Sequence, residues 1–181
     1  IERQVIFVDL ALAQIAALGG SLALVFGFGM DSAHSYWMSL GFTVAGAAIF
    51  SFTRLKKQKI PQEAVIGIVY AVSAALLVMV LSRSGEGDEH IRQALIGNVL
   101  LVRSEEVVKI FLIYSAVGLF HFFCREKFLL ISQRPEEAFK RGMNVKLWDF
   151  LFYASFGIVV TSSVKIAGVL LVFSFLVVPA A

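Results

Sequence analysis

Long apolar runs separated by short polar links dominate the chain. A run of ~20 apolar residues is what a helix needs to cross the hydrocarbon core of a bilayer. A lipid-spanning barrel would alternate apolar and polar residues instead. The pattern therefore predicts an all-α, polytopic bundle of about six membrane-spanning helices, at Val5 to about Met30, Tyr36–Thr53, Ala64 to about Ser82, Val107–Cys124, Trp148 to about Val160, and Ile166 to Ala181.

The connection from Arg83 to Glu106 has two unlike halves. Its first half is polar, whereas Ala94 to Val102 is apolar but too short to cross a bilayer. We expect the second half to form an interfacial or re-entrant segment, because backbone at membrane depth must be shielded from lipid.

The basic residues sort the links by side of the membrane. Link 54–63 carries four Lys and Arg residues and stretch 125–146 carries six, whereas 83–106 has three against five acidic residues. Cytoplasmic loops are enriched in Lys and Arg. The first two links are thus predicted to face the cytoplasm and 83–106 the outside, which makes the spans alternate in direction. Lys165 falls at the predicted outer turn between the last two spans.

Composition restricts the class of protein. Hydrophobic residues make up 59% of the chain and charged residues 16%, with a mean hydropathy of +0.83. Soluble domains are nearer 45–50% apolar and ~25% charged. These values exclude a disordered chain, a collagen, a disulfide scaffold and almost any soluble enzyme. The net charge of +3 is too small to indicate nucleic-acid binding, and the single Cys124 excludes an internal disulfide or a multi-Cys metal site.

Small residues recur at a spacing of three or four within three spans. Such stripes let helix backbones approach closely in lipid, so they predict a compact bundle. They are Ala13, Ala16, Ala17 and Gly20 in the first span, Gly41, Ala45 and Ala48 in the second, and Gly67, Ala71 and Ala75 in the third.

Asp9 is the sharpest single feature, because a carboxylate inside a span costs from about 2.5 kcal/mol upward at the centre. It indicates an ion or proton pathway, unless it is hydrated near the cytoplasmic interface or paired with Arg3. Gln14 follows five residues later, about 140° around an ideal helix. The two side chains therefore share a face poorly unless the helix is irregular.

The histidines carry weaker signals. His121 and Cys124 are three residues apart and can share a helix face, but two ligands do not make a metal site. We expect both to pack structurally at the inner membrane edge. His34 and His90 fall in predicted outer links; Asp88 and Glu89 beside His90 could attract a cation, although a solvated loop is favoured.

No phosphate loop, nucleophile elbow or pair of catalytic carboxylates occurs in the sequence, so any nucleotide would be bound by another chain. The predicted inward stretch 132–146 instead contains a short helix. A docking helix for a cytoplasmic partner is favoured over a mere connector, because its ends are well specified. Pro135 fits the first position, Glu136 and Glu137 the first turn, Lys140 and Arg141 the last turn, and Gly142 the C′ cap.

Four segments, in order, resemble the permeases of metal-type ABC importers. They are the Glu-x-x-x-Gly-x-x-Tyr of Glu63–Tyr70, the Gly97-Asn98 of segment 95–100, Pro135-Glu136-x-Ala138 with Gly142 after it, and the Val-, Gly- and Leu-rich 164–172 that leads to Pro179-Ala180-Ala181. The resemblance covers nearly the whole chain. Family members are longer at both ends, which implies that residues 1–181 form a single transmembrane permease domain that is a fragment.

The resemblance implies import of zinc, manganese or iron(II) across the bacterial cytoplasmic (inner) membrane. It implies an extracytoplasmic metal-binding protein, a second permease copy in a homodimer, and ATPase subunits that bind ATP and dock on a coupling helix. This chain itself would be no enzyme and would hold no cofactor. The matching coupling residues here are Pro135, Glu136, Ala138, Arg141 and Gly142.

Two departures from the family pattern bear on the sites. A family Gly-Asp-x-x-x-His motif is matched only by Val8-Asp9, and Gln14 stands five residues before Gly19, where the family has His. Asp9 and Gln14 are thus the candidate metal-pathway residues, and the missing imidazole weakens the preference for zinc. Gln133 and Arg134 replace a frequent Phe-Asp before the coupling helix. The alternatives are a membrane-embedded enzyme that uses Asp9, His121 and His34, and a membrane scaffold.

Overall fold

The computed structural model describes residues 8–29, 32–53, 61–83, 87–97 and 102–177. These ranges contain helices and no strand, which confirms the all-α prediction. The helices are α1 (Val8–Val25), α2 (Ala33–Thr53), α3 (Gln62–Leu81), α4 (Gly87–Ile96), α5 (Ser104–Gln133), α6 (Pro135–Lys140) and α7 (Val145–Val177).

Helices α1, α2, α3 and α5 confirm the first four predicted spans, with small shifts in their bounds. Helix α5 continues beyond its apolar run to Gln133. Its 30 residues are about 45 Å long, which exceeds the ~30 Å hydrocarbon core. The polar end of α5 thus carries the chain out of the membrane toward α6.

The last two predicted spans form α7, which consists of two helices joined by a kink, and its stretch Val145–Phe175 counts as one candidate span, so the described residues contain five rather than six. The predicted turn at Lys165 is wrong, since Lys165 lies within α7. The polar residues before Lys165 are compatible with a helix because their hydroxyls bond to the helix backbone one turn earlier. Ser162 donates to the Ile158 carbonyl and Ser163 to the Val159 carbonyl. Helix α7 breaks instead at Gly168, where φ is 71° and ψ is 165°.

Helix α4 forms in the half of the 83–106 connection that we expected to be loop. It starts at Gly87, ends at Ile96, and is followed by Gly97 with φ of +69°. His90 therefore lies on a helix rather than in a solvated loop. The predicted re-entrant segment Ala94–Val102 lies partly outside the described residues; its first residues form the end of α4, which packs on α7.

Helix α1 is the most buried of the five long helices and packs against α2, α3 and α7. Its predicted small-residue stripe is confirmed, because Ala13, Ala16 and Ala17 are buried and a methyl group on Gly20 would meet Ser39 Oγ at 2.7 Å. The stripes predicted on α2 and α3 do not pack against other described helices. Gly41 and Gly67 are exposed and have no neighbour within 4 Å of a Cβ position.

The helix ends form two opposite ends of the bundle. At the α6 end, the C-terminus of α2 bonds to the start of α7 through Ser51 and Lys146. At the α4 end, Ser35 at the start of α2 bonds to Gly20 near the end of α1. Helices α4 and α6 thus lie at opposite ends, which is the separation that the predicted alternation of spans requires.

Candidate functional site

Helix α6 has the termini that the sequence predicts. Pro135 occupies the first turn, and Gly142 follows the helix with φ of +70°. The Gly142 N–H donates to the Phe139 carbonyl and the Met143 N–H to the Ala138 carbonyl, both at 3.1 Å. This pair of bonds is a Schellman motif, which ends a helix at a left-handed glycine. The start and the end of α6 are therefore fixed by its own sequence.

One side of α6 is fastened to the protein. Ala138, Ile131 at the end of α5 and Val145 at the start of α7 are buried together, with Leu130, Phe139, Met143 and Trp148 packed around them. We call this set the α6 cluster. Ala138 thus anchors α6 to the ends of α5 and α7.

The other side of α6 is charged and open. Glu136, Lys140 and Arg141 are exposed. Arg141 Nη2 donates to Glu137 Oε1 at 2.5 Å, and Arg134 lies 3.6 Å from Glu137 Oε2. The hydrogen bond and positive charge of Arg141 hold the pKa of Glu137 below its usual value. Helix α6 therefore presents a rigid, charged surface on a buried anchor.

The two candidate pathway residues lie on α1 but not on one face. Asp9 is partly buried in the first turn, and Gln14 is only 5% exposed. Since α1 is a continuous helix, they are about 140° apart around the axis and about 7.5 Å apart along it. The Oε1 atom of Gln14 is buried and accepts no hydrogen bond from any described residue.

A line of hydroxyl groups joins α2 to α7, and the sequence analysis missed it. Thr43 and Thr161 share a hydrogen bond of 3.0 Å, and Tyr36 bonds to Ser162 at 3.3 Å. A cavity of about 60 Å³ with a mixed polar and apolar lining lies at the α4 end of this line, beside Gly20 and Gln93. The four-residue spacing of Ser35, Ser39 and Thr43 was the available signal.

Asp149 is a second residue that the sequence analysis missed. It lies on the second turn of α7 and is fully buried. Polar groups gather at the same end of the bundle: Gln62 Nε2 donates to the Phe50 carbonyl and to the Tyr153 hydroxyl, each at 3.3 Å. The signal in the sequence was an acidic residue just inside a predicted span.

The histidines and the cysteine form no shared site. His121 Nε2 lies 2.7 Å from Ser155 Oγ, and Ser155 donates its proton to the Phe152 carbonyl. With the Ser155 proton on the Phe152 carbonyl, the Nε2–H tautomer of His121 donates to Ser155 Oγ, which ties α5 to α7. His34 stacks on Phe28 with ring centroids 4.3 Å apart. Across the described ranges, no three His, Cys, Asp or Glu residues are grouped to hold a metal ion.

Comparisons with known proteins agree on one family. The family model described as "ABC 3 transport family" matches residues 1–181. A manganese transport system membrane protein of Listeria monocytogenes is 30% identical over 158 residues, which are 81% of this chain and 54% of that protein. A Haemophilus influenzae protein named as a probable iron transport system membrane protein is 25% identical over 124 residues, 68% of this chain and 45% of that protein.

A solved structure supports the fold. PsaBC from Streptococcus pneumoniae in complex with Fab superposes with a TM-score of 0.75 at 20% identity, covering 99% of this chain and 62% of that chain. The chain spans about half the length of the curated relatives that it matches. With five helices apolar enough to cross a bilayer, it is a multi-pass integral protein of the bacterial inner membrane. The match along all 181 residues shows that the chain belongs to the ABC 3 transport family.

Proposed function

We propose that this chain is part of the permease of an ABC importer for a divalent transition metal ion, which is manganese, iron or zinc. The match to the family model over the whole chain carries the proposal. Two relatives bear the names of manganese and iron transport membrane proteins, which favours these metals. ATP would be bound and hydrolysed by a partner subunit. A metal-binding protein outside the membrane and a second permease copy would complete the importer.

The first element of the proposal is that α6 receives the ATPase subunit. Its buried anchor and its exposed charges would let a partner push on the bundle without unfolding the helix. Arg141→Glu places two acidic residues four apart and removes the Glu137 ion pair, so we expect it to weaken coupling between ATP hydrolysis and metal uptake. Pro135→Gly should do the same by loosening the first turn.

The docking experiment uses the full-length permease with its ATPase subunit in proteoliposomes. Arg141→Gln removes the ion pair without reversing the charge, and Arg83→Glu reverses an exposed charge at the other end of the bundle. We expect uptake to fall most in Arg141→Glu and to be unchanged in Arg83→Glu. Wild-type uptake in both Arg141→Glu and Pro135→Gly would exclude α6 as the docking helix. Failure of the permease to co-purify with any ATPase would contradict the importer itself.

The second element is that Asp9 and Gln14 are successive positions on the metal pathway. They do not face the same way on α1, so they would contact an ion in turn rather than chelate it together. A buried amide oxygen without a partner costs roughly 1–3 kcal/mol, and a metal ion passing Gln14 would supply that partner. Carboxylate and amide oxygens suit manganese, a harder ion than zinc.

Gln14→Leu separates a structural role from a transport role. Because Gln14 Oε1 has no described partner, an apolar residue of similar size should leave stability unchanged or raise it, while uptake falls. Asp9→Ala should impair uptake without abolishing assembly. Radioactive manganese, iron and zinc would be compared in each variant. Normal uptake of all three metals in both variants would remove Asp9 and Gln14 from the pathway.

The geometry gives no support to a membrane-embedded enzyme built on Asp9, His121 and His34. Asp9 lies at the α6 end of α1, whereas His34 starts α2 at the α4 end. His121 is held by Ser155 among the rings of Phe128 and Phe152. These side chains do not converge on a common reaction centre.

A further inference from the structure

Asp149 has no role in the proposed pathway or in docking, although its burial demands an explanation. Among the residues that the structure describes, it is the only fully buried carboxylate. A carboxylate in such a place is expensive unless hydrogen bonds and charges compensate for the lost water. In a membrane-spanning segment, an ionisable residue is by default a candidate for function.

The position of Asp149 on α7 connects two separate clusters. Residues four apart lie on the same helix face, so Val145, Asp149 and Tyr153 form one stripe. Val145 belongs to the α6 cluster, whereas Tyr153 belongs to the main core, together with Phe50 and Ile66. The carboxylate therefore lies on the face that links α6 to the membrane-spanning core.

Three helix ends are tied together at the level of Asp149. The Ser51 hydroxyl at the end of α2 donates to the Lys146 carbonyl, one turn before Asp149 on α7. Gln62 at the start of α3 donates to the Tyr153 hydroxyl, one turn after it. Both Ser51 and Gln62 are buried. Gln62 Nε2 also donates to the Phe50 carbonyl, so the one side chain links α2 to α7, and bonds that share a group in a low-dielectric place affect each other.

We infer that Asp149 is a positioning residue that transmits displacements of α6 to the ends of α2, α3 and α7. Packed elements shift between discrete arrangements and do not deform gradually, and the buried Asp149 adds a polar interaction that such a shift must keep or exchange. A push on Ala138 reaches Val145 through the α6 cluster, and the next turns of α7 carry it through Asp149 to Tyr153, which bonds to Gln62 on α3. The inference rests on the proposed docking role of α6 and adds the residue through which that docking acts.

The test is Asp149→Asn, which keeps the shape of the side chain but replaces its carboxyl group with an amide. Full-length permease and ATPase subunit are reconstituted, and metal uptake and ATP hydrolysis are measured together. We expect assembly and ATP hydrolysis to stay near wild type, while uptake per ATP falls roughly tenfold, in the range typical of coupling between distant sites. A structural role alone would lower both activities together and leave their ratio unchanged, which would overturn the inference.

The matched control is Thr161→Val, a loss of a buried polar group on the same helix but far from α6. Its ratio of uptake to ATP hydrolysed should equal that of wild type; an equal fall in both variants would also overturn the inference. If Asp149→Asn does not assemble, Tyr153→Phe tests the same stripe by removing one hydroxyl. We expect it to lower the ratio of uptake to ATP hydrolysed in the same way, and an unchanged ratio would overturn the inference. A wild-type complex without metal uptake would count against the proposed function, whereas normal uptake with an unaltered ratio in the variants would count only against Asp149.

Discussion

Two glycines in contact hold α4 against the break in α7. Gly97 and Gly168 both have left-handed backbones, with φ of +69° and +71°. A methyl group on Gly168 would lie 2.5 Å from the Leu95 carbonyl oxygen, and one on Gly97 would lie 2.6 Å from the Ile166 carbonyl oxygen. Both obstacles are backbone atoms, which cannot move aside as a flexible side chain does. Neither position has room for a side chain.

Alanine at either position should therefore destabilise the protein strongly. The left-handed backbone costs a non-glycine residue roughly 1–2 kcal/mol. The overlap adds about 1–3 kcal/mol, the usual penalty for overpacking. The sum of about 2–5 kcal/mol is a large part of the 5–15 kcal/mol by which proteins are typically stable. In the double variant, the two penalties should not add, because both methyl groups disturb the same contact.

Thermal unfolding of the full-length protein in detergent measures this effect. We expect Gly97→Ala and Gly168→Ala each to lower the Tm by at least about 4 °C, given roughly 2–4 °C per kcal/mol for a chain of 150–250 residues. Gly41→Ala and Gly67→Ala are matched controls on exposed helix faces, where alanine should be neutral or stabilising by up to about 1 kcal/mol. If Gly97→Ala and Gly168→Ala behaved like the controls, the close backbone contact would be refuted.

Three further predictions concern packing, hydrogen bonding and pH. Gly157→Ala should lower the free energy of unfolding by about 1–3 kcal/mol, because the alanine methyl would lie 2.6 Å from the Thr43 Cγ2 methyl. Adding Thr43→Ser, which removes Cγ2, should restore much of the Tm, and a double variant without this rescue would contradict the packing. Ser155→Ala should lower the free energy of unfolding by about 1–3 kcal/mol, because His121 Nε2 loses its hydrogen-bond partner. An unchanged Tm would show that this bond does not stabilise the protein. The lowered pKa of Glu137 means that its ion pair supports α6 above the ordinary carboxyl pKa and is lost as the pH falls through the lowered value. Amide exchange in α6, corrected for intrinsic rates, should thus speed up in acid, and Glu137→Gln should abolish this dependence; equal pH dependence in the variant would refute the assignment.

The elements that the sequence predicted well are those specified by local chemistry. Pro135 and Gly142 fix the two ends of α6 through backbone constraints that act within a few residues. The first four spans follow from the length of their apolar runs. The helical course of α7 through Thr161, Ser162 and Ser163 to the break at Gly168 could not be predicted in this way, since these three residues read as a polar turn. In the folded protein, the two serines satisfy their hydroxyls on α7 itself, while Thr161 bonds to Thr43 on α2.

In the candidate sites, too, the sequence reveals residue types, whereas the tertiary structure reveals their surroundings. Asp9 and Gln14 were recognisable as polar residues within an apolar run, but only the structure shows that Gln14 is buried with an unpaired oxygen. The importance of Asp149 depends on Val145 and Tyr153, whose clusters are assembled from residues distant in sequence. A lone acidic residue near the end of a span does not reveal such neighbours.

The sequence by itself determined that this protein lies in a membrane, that it is helical, and where α6 begins and ends. These properties depend on apolar content and on interactions between residues close in the chain. The tertiary structure decided which helix faces are buried, because residues that face lipid are as apolar as residues that face protein. Thus the glycine and alanine stripe of α1 is buried, the similar stripe of α3 is exposed, and Gly97 meets Gly168 across 71 positions of sequence (168 − 97).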